Sequence, residues 1–245
     1  MKEEENFNFT VDYRIWDDHP RGPADIPAVY MYNPSEPEFD TNFRAKPIFP
    51  KRKDALMAAF IGNCGAKNNR SAMLKELMSL MPIHSYGSCF HNKDIPDDHP
   101  HPETVKERQR EKQNIASQYF FMFSPENSND VSYVSEKVYD GFAAGVIPVY
   151  YGASNIEKFI PAKESIVDLA DFATMAEAAK YLIALAEDKE KYMTHMEWKK
   201  KEFSNEFKRV LRLASRTVQC RLAMALSGRD FERDLEHLEI QIPPK

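Results

Sequence analysis

Residues 119–152 read YFFMFSPENSNDVSYVSEKVYDGFAAGVIPVYYG and alternate between apolar runs and polar segments. The aromatic run 119–123 predicts a strand, the segment 133–144 predicts a helix, and residues 147–151 predict a second strand that ends at Gly152. This order predicts a right-handed βαβ unit with parallel strands. Ligands bind beyond the carboxyl ends of such strands, so the polar loop after the first strand lies at the ligand-binding end.

The sequence on either side of this unit continues the alternation of strands and helices. The predicted flanking elements are a strand at 56–61, a helix at 69–80, strands at 83–87 and 165–169, and three helices at roughly 172–187, 188–201 and 205–226. The predicted fold class is therefore α/β, with a Rossmann-like parallel sheet and a helical C-terminal part.

Three segments of the chain differ in composition. Residues 1–55 contain closely spaced prolines, which exclude a long helix and predict an extended lead-in. Residues 56–228 hold the predicted strands and helices of the sheet and form the predicted globular domain. Residues 229–245 form a tail that ends in prolines and a lysine.

The bulk composition excludes some classes of partner. The chain has 33 Lys and Arg residues against 38 Asp and Glu residues, a formal net charge of -5, which predicts that nucleic acid is not a partner. No stretch approaches the ~18 consecutive apolar residues of a membrane span, and charged residues follow Met1 where a signal peptide would be apolar. We therefore predict no membrane span in this chain.

The loop and helix start at 126–137 are dense in polar side chains between apolar segments. A helix N-terminus favours an anion, and Lys137 adds a positive charge one turn into the helix. The pattern therefore predicts an anion site. The alternative is that Asn127 and Ser128 only cap the helix while Glu136 and Lys137 form a solvated surface pair.

Residues 121–152, with Glu126-Asn127-Ser128 and the segment 133–137, resemble the donor-binding signature of the α1,3-fucosyltransferases of glycosyltransferase family 10. Segments 59–70, 85–89 and 153–161 are similar to the same family in the same order, most closely to its plant-like, N-glycan-core branch. The resemblance covers about residues 9–225. It implies that residues 56–228 are the donor-binding C-terminal lobe of a two-lobed GT-B enzyme and that residues 1–55 link the lobes.

The resemblance implies an inverting transfer of fucose from GDP-fucose to a GlcNAc hydroxyl of a glycan or glycoprotein. Carried over residue by residue, it implies that Arg70 and Lys137 grip the GDP diphosphate, while Asn127, Tyr133 and Glu136 line the ribose, phosphate and fucose. Cations aimed at the charge that develops on the leaving GDP would lower the barrier. Two such cations would also reduce dependence on a metal, so no cofactor is expected, and stimulation by manganese stays open.

The general base of this family belongs to the N-terminal, acceptor-binding lobe, so we name no catalytic base in this chain. The family resemblance also implies a protein of the Golgi lumen held by an N-terminal anchor. Since the chain shows neither this anchor nor most of the acceptor lobe, we expect it to be a truncated form of a longer protein.

One interpretation of the three cysteines, Cys64, Cys89 and Cys220, is that all of them are buried thiols. The family resemblance instead implies a disulfide between Cys64 and Cys89, since plant-like members also have cysteines there, and leaves Cys220 as a buried thiol. Histidines and aspartates at 91–101 do not have the spacing of a closed zinc site, so we predict an acidic loop and no metal.

Two other functions remain open. Several GT-B families share the strand at 147–151, so the chain could be an exostosin-like enzyme that uses a UDP-sugar. It could also be a non-catalytic lobe that binds a nucleotide sugar or contacts another glycosyltransferase.

Overall fold

Five short parallel strands form the central sheet of the computed structural model, which describes residues 10–12, 25–27, 31, 34, 39–96 and 102–227. The strands of this sheet are β3 (Met57–Ala59), β4 (Ile83–Ser85), β5 (Phe121–Phe123), β6 (Ile147–Tyr150) and β7 (Val167–Asp168). They lie in the order β4-β3-β5-β6-β7, and each neighbouring pair is parallel. The fold class predicted from the sequence is confirmed.

Helices cover both faces of this sheet. The helices in the described ranges are α1 (Phe39–Phe43), α2 (Arg70–Leu80), α3 (Val105–Ser117), α4 (Glu136–Ala143), α5 (Met175–Glu187), α6 (Lys189–Thr194), α7 (Asn205–Ala214) and α8 (Val218–Leu226). In β3, Met57 and Ala59 pack with α2 and α5, whereas Ala58 between them packs toward Ile115 of α3. Successive side chains of a strand point to opposite faces, so a strand covered on both sides is apolar throughout.

The strand order creates a topological switch point. From β3 the chain passes through α2 to β4 on one side, and from β4 it passes through α3 to β5 on the other side of β3. The loops that leave β3 and β5 therefore diverge at the carboxyl edge of the sheet. In open α/β sheets the crevice between such loops is the usual ligand site.

Most of the predicted strands and helices are present in the structure, but several begin or end at other residues than predicted. The strand predicted at 165–169 is only Val167–Asp168, between the 3₁₀ turns Lys163–Ser165 and Leu169–Asp171. The helix predicted at 188–201 is α6 followed by the 3₁₀ turn Glu197–Lys200. Both regions are short connections whose apolar residues match the period of a longer element, so the pattern alone overestimates their length.

The prediction of a single helix at 205–226 is wrong, because the helix is interrupted between α7 and α8. The Thr217 hydroxyl accepts a hydrogen bond from the backbone N–H of Cys220 at 3.2 Å and so begins α8. The buried Arg221 guanidinium donates to the carbonyls of Leu213 and Arg216, which are open at the end of α7. The Thr217 cap thus satisfies an N–H at the start of α8, and the Arg221 cation satisfies carbonyls at the end of α7. Both contacts stabilise the break between the helices.

The lead-in contains short elements. Strands β1 (Thr10–Asp12) and β2 (Asp25–Pro27) pair in parallel apart from the main sheet. Helix α1 brings Phe43 into an aromatic cluster, where its ring lies 5.5 Å from the rings of Phe142 and Trp198. The predicted tail at 229–245 lies outside the described residues. No helix in the described part of the chain combines the length and the apolar character needed to cross a bilayer.

We expect Lys199 to make the stability of the fold depend on pH. Its ammonium donates to the carbonyls of Phe142 at 3.0 Å and Phe43 at 3.4 Å, and burial, with Arg44 and Lys51 nearby, lowers its pKa to about 7. In the unfolded chain the pKa returns to its ordinary value of 10.5, so between these values the unfolded state binds more protons. The free energy of unfolding should therefore rise with pH across this window and fall as pH drops toward about 7.

Urea unfolding of the wild-type and Lys199→Met chains across this pH range tests the expectation. The variant should show a shallower rise of stability with pH, although Lys51, with a similarly lowered pKa, retains part of it. Lys200→Met is the matched control, because the Lys200 side chain is 67% exposed and pairs only with Glu197 among the described carboxylates. Identical slopes for wild type and Lys199→Met would contradict the assignment.

Candidate functional site

The first residue of α2, Arg70, joins the two loops at the switch point. Its side chain is 2% exposed, and its guanidinium donates to the carbonyl of Asn63 at 3.1 Å and to the carbonyl of Pro125 at 3.1 Å. The Nε–H of Arg70 is buried and has no hydrogen-bond partner among the described residues. The guanidinium thus lies between the β3 and β5 loops with donor capacity to spare.

The charge of Arg70 is not neutralised by a direct ion pair among the described residues. Burial lowers the pKa of Arg70, while the nearby acidic groups of Glu126, Tyr133 and Glu136 act in the opposite direction. A buried cation that contacts only carbonyl oxygens is costly unless a counter-charge approaches it. The arrangement therefore suits an anionic ligand.

The fully buried side chain of Glu126, just after β5, binds the start of α4. Its carboxylate accepts hydrogen bonds from the Ser135 N–H at 2.7 Å and the Ser135 hydroxyl at 2.6 Å. The Lys137 ammonium lies 3.2 Å from the same carboxylate and 2.7 Å from the Ser135 hydroxyl oxygen. The charged end of Lys137 is thus directed to the loop, and its side chain is 19% exposed.

Glu136 occupies the first position of α4, beside this cluster. Burial opposes its ionisation, but Lys137, a backbone N–H and Lys112 outweigh that effect and hold its pKa below the ordinary value. Glu136 is therefore a carboxylate near neutral pH. Its Oε1 lies 3.5 Å from the Lys137 ammonium.

The structure brings the other predicted residues to the same edge of the sheet. Tyr133 is half-buried and lies on the loop between β5 and α4. Asn127 is half-buried directly after Glu126. All five residues predicted for the donor site therefore lie on the loop after β5 or at the start of α2 or α4. Their roles toward a ligand stay predictions.

The alternative in which Asn127 and Ser128 cap α4, and Glu136 and Lys137 form a solvated surface pair, is wrong. The N-cap of α4 is Ser135, and the Ser128 hydroxyl donates instead to Asp130 at 2.5 Å. Glu136 and Lys137 do not form an isolated surface pair, because Lys137 is bound to the buried Glu126. A solvated pair would have neither this burial nor this third partner.

Several further residues build the site, although the sequence around them carries no local signal of a functional role. The Asn68 amide, on the loop after β3, donates to the carbonyl of Glu126 at 2.9 Å and to the side chain of Asn129 at 3.0 Å. These bonds connect the β3 loop to the β5 loop in addition to the contacts of Arg70. Lys112 of α3 contacts the fully buried Asp140 of α4, and its charge interacts with Lys137. Burial lowers the pKa of Lys112 and raises that of Asp140. These residues lie far apart in the sequence, so no local pattern marks them.

The loop after β5 is closed by a residue with left-handed backbone geometry. Ser132 has φ 65°, a conformation that is strained for a side chain larger than glycine. The Asn155 side chain accepts from the Ser132 N–H at 2.9 Å and donates to the Ser132 hydroxyl at 3.1 Å. Two hydrogen bonds from the loop after β6 thus hold this conformation.

A disulfide links Cys64 and Cys89, on the loops that follow β3 and β4. Nearby, the Cys89 N–H donates to the Ile61 carbonyl at 3.0 Å, and the Ser88 hydroxyl donates to the Gly62 carbonyl at 2.8 Å. The third cysteine, Cys220, is free, and it is half-buried instead of buried as predicted.

Replacement of Cys64 and Cys89 by serine should lower the free energy of unfolding by about 3 kcal/mol, because the bridge closes a loop in the unfolded chain between residues separated by 25 positions. Urea unfolding of the double variant without reductant measures the loss. The matched control is Cys220→Ser, which removes a thiol that closes no loop. Equal stabilities of the double variant and the control would show that the bridge contributes nothing.

The predicted acidic loop at 91–101 is described only up to residue 96. There His91 pairs with Asp94 at 2.9 Å, and that hydrogen bond raises the pKa of His91. The other predicted members, His99, His101, Asp97 and Asp98, lie outside the described residues. Within the described ranges, no three His, Cys, Asp or Glu side chains are grouped to hold a metal ion.

Residues 50–239 match the family model described as glycosyltransferase family 10 (fucosyltransferase), C-terminal part. The chain is 33% identical over 214 residues to a fucosyltransferase-like protein of Arabidopsis thaliana, covering 87% of this chain and 38% of that protein. It is 31% identical over 154 residues to GDP-fucose protein O-fucosyltransferase 3 of Xenopus tropicalis, covering 63% of this chain and 32% of that protein.

A third relative is alpha-(1,3)-fucosyltransferase B of Drosophila melanogaster, 29% identical over 199 residues, covering 79% of this chain and 43% of that protein. The chain therefore spans about a third to two-fifths of the length of these relatives. A crystal structure of an α1,3-fucosyltransferase with GDP matches the fold with a TM-score of 0.63 at 19% identity. The match covers 96% of this chain and 71% of the other.

Proposed function

Because the chain belongs to the glycosyltransferase family 10 fucosyltransferases, we propose that it supplies the GDP-fucose-binding lobe of an α1,3-fucosyltransferase. The observation that carries the proposal is the pair of cations at the switch point of the sheet. Arg70 lies between the β3 and β5 loops, and Lys137 points its ammonium to the β5 loop from the first turn of α4. Both belong to the part of the chain that matches the family.

In the proposed reaction an acceptor hydroxyl attacks C1 of fucose from the face opposite GDP. The new C1–O bond forms as the bond from C1 to the diphosphate breaks, so the configuration at C1 inverts and the electron pair leaves with GDP. Arg70 and Lys137 would bind the diphosphate and stabilise the charge that develops there. Asn127, Tyr133 and Glu136 would contact the ribose, phosphate and fucose.

The acceptor proton has to pass to a base, and we assign none of the described residues to that role. The proposed acceptor is a GlcNAc hydroxyl of a glycan. The similarity to protein O-fucosyltransferase 3 supports a second candidate, a hydroxyl of a protein side chain. We also propose a Golgi location, which the Cys64–Cys89 disulfide supports, because such bonds persist in oxidising compartments.

Isothermal titration of the chain with GDP-fucose, GDP and UDP-GlcNAc, each with and without manganese, tests the donor assignment. We expect the two guanine ligands to bind and UDP-GlcNAc not to bind. Preference for UDP-GlcNAc would instead support the exostosin-like alternative. Binding of neither nucleotide class would overturn the proposed donor site.

Fucose transfer is tested in a separate assay, in which the complete gene product is incubated with radiolabelled GDP-fucose. Two acceptors, a GlcNAc-terminated glycan and an unglycosylated folded protein, distinguish the two candidate hydroxyls. Label on the glycan supports the α1,3-fucosyltransferase, and label only on the protein supports the O-fucosyltransferase candidate. Donor binding without transfer to either would favour a non-catalytic nucleotide-sugar-binding protein.

A further inference from the structure

Glu126 is held through its backbone and the stem of its side chain. The backbone N–H of Glu126 donates to the Tyr151 carbonyl at 2.8 Å, and its carbonyl accepts from Asn68 at 2.9 Å. Gly152 leaves room for its side chain, because a Cβ added at Gly152 would lie 2.8 Å from the Glu126 Cγ. The position of this buried acid is therefore fixed by three loops, independently of any ligand.

Glu126 in turn fixes the start of α4. The N-cap residue Ser135 makes no capping hydrogen bond with its own side chain, and its N–H donates to Glu126 instead. The Glu126 carboxylate thus supplies the acceptor and the negative charge that a helix N-terminus favours. The first turn of α4 carries Lys137, so its backbone position also depends on Glu126.

The side chain of Lys137 is bound to the same carboxylate by two routes. Its ammonium pairs with Glu126 directly at 3.2 Å, and it donates at 2.7 Å to the Ser135 hydroxyl, which donates to Glu126 at 2.6 Å. A free lysine side chain has large rotamer entropy, and ordering it during ligand binding weakens affinity. In this fold the ordering is achieved before any ligand arrives.

We propose that Glu126 is a positioning residue, which holds the Lys137 ammonium in place for the diphosphate of GDP-fucose. This inference rests on the proposed donor site. Glu126 acts through Lys137, and its own carboxylate remains covered by Ser135 and Lys137. Two effects of its charge oppose each other. The negative charge repels a diphosphate, whereas the fixed geometry of the ammonium favours it. The effect of the fixed geometry on diphosphate binding is larger than the effect of the charge repulsion.

A double-mutant cycle with GDP as the ligand tests this proposal. Glu126→Gln keeps the size of the side chain and removes the charge that orients Lys137. We expect it to weaken GDP binding by about 10-fold in the wild-type background and by no more than about 2-fold in the Lys137→Met background. Thermal unfolding of each variant records stability separately, and a purely structural role would give the same loss of affinity in both backgrounds.

Ser135→Ala provides a second variant if Glu126→Gln does not fold. It removes the hydroxyl that bridges Lys137 and Glu126 but leaves the carboxylate in place. We expect a loss of GDP affinity of about 3-fold, which disappears in the Lys137→Met background.

The outcomes separate this proposal from the donor site itself. Absence of GDP binding to the wild-type chain would overturn the donor site and with it the proposal. Binding by the wild type with equal losses in both backgrounds, or tighter binding by Glu126→Gln, would overturn only the positioning role.

Discussion

Replacing Lys137 with methionine is expected to weaken GDP binding about 100-fold, because a charge-assisted hydrogen bond is worth about 1.5–3 kcal/mol. The Lys137 side chain is only 19% exposed, so solvent screens its interaction with a phosphate less than it would at the surface. Methionine retains the length and apolar stem of the side chain. Isothermal titration with GDP measures the change.

Two controls separate this loss of binding from a loss of fold. Lys75→Met changes an exposed lysine on α2 and should leave GDP affinity within about 2-fold of the wild type. Lys137→Met also leaves Glu126 buried without its counter-ion, which destabilises the fold. Addition of Glu126→Gln should recover stability but not affinity. Unchanged GDP affinity in Lys137→Met would remove Lys137 from the donor site.

The βαβ unit at 119–152 was predictable because its local patterns agree. The strands Phe121–Phe123 and Ile147–Tyr150 are buried on both faces, so they are apolar throughout and stand out from the polar loop between them. The break between α7 and α8, within residues 205–226, was not predictable in the same way. The apolar period continues across the break. The break depends on the Thr217 cap, which begins α8, and on the Arg221 guanidinium, which binds carbonyls at the end of α7.

The candidate site was predictable only in part. A positive charge near a helix start marks Lys137. The second cation, Arg70, begins a different helix and was identified through the family resemblance alone. Glu126 could not be assigned a role from the sequence, because an acid after a strand is usually exposed. Its burial and its contacts with Ser135 depend on how the loops after β5 and β6 meet.

Gly87→Ala is expected to lower the free energy of unfolding by about 3 kcal/mol or more, because the added methyl has no space. A Cβ at Gly87 would lie 2.3 Å from the carbonyl oxygen of Ile61 and 2.5 Å from its backbone nitrogen. These are backbone atoms, which cannot rotate away as a flexible side chain can. The loops after β3 and β4 would have to separate, and urea unfolding measures the consequence.

Gly62→Ala is a matched control on the partner loop, since a Cβ there meets no heavy atom within 4 Å. Its stability should stay within about 0.5 kcal/mol of the wild type. Separation of the loops in Gly87→Ala would also move Asn63, whose carbonyl holds the Arg70 guanidinium. Any folded fraction of that variant should therefore bind GDP more weakly, while Gly62→Ala binds normally. Equal stability and equal GDP affinity of the two variants would show that the contact of the loops neither supports the fold nor positions Arg70.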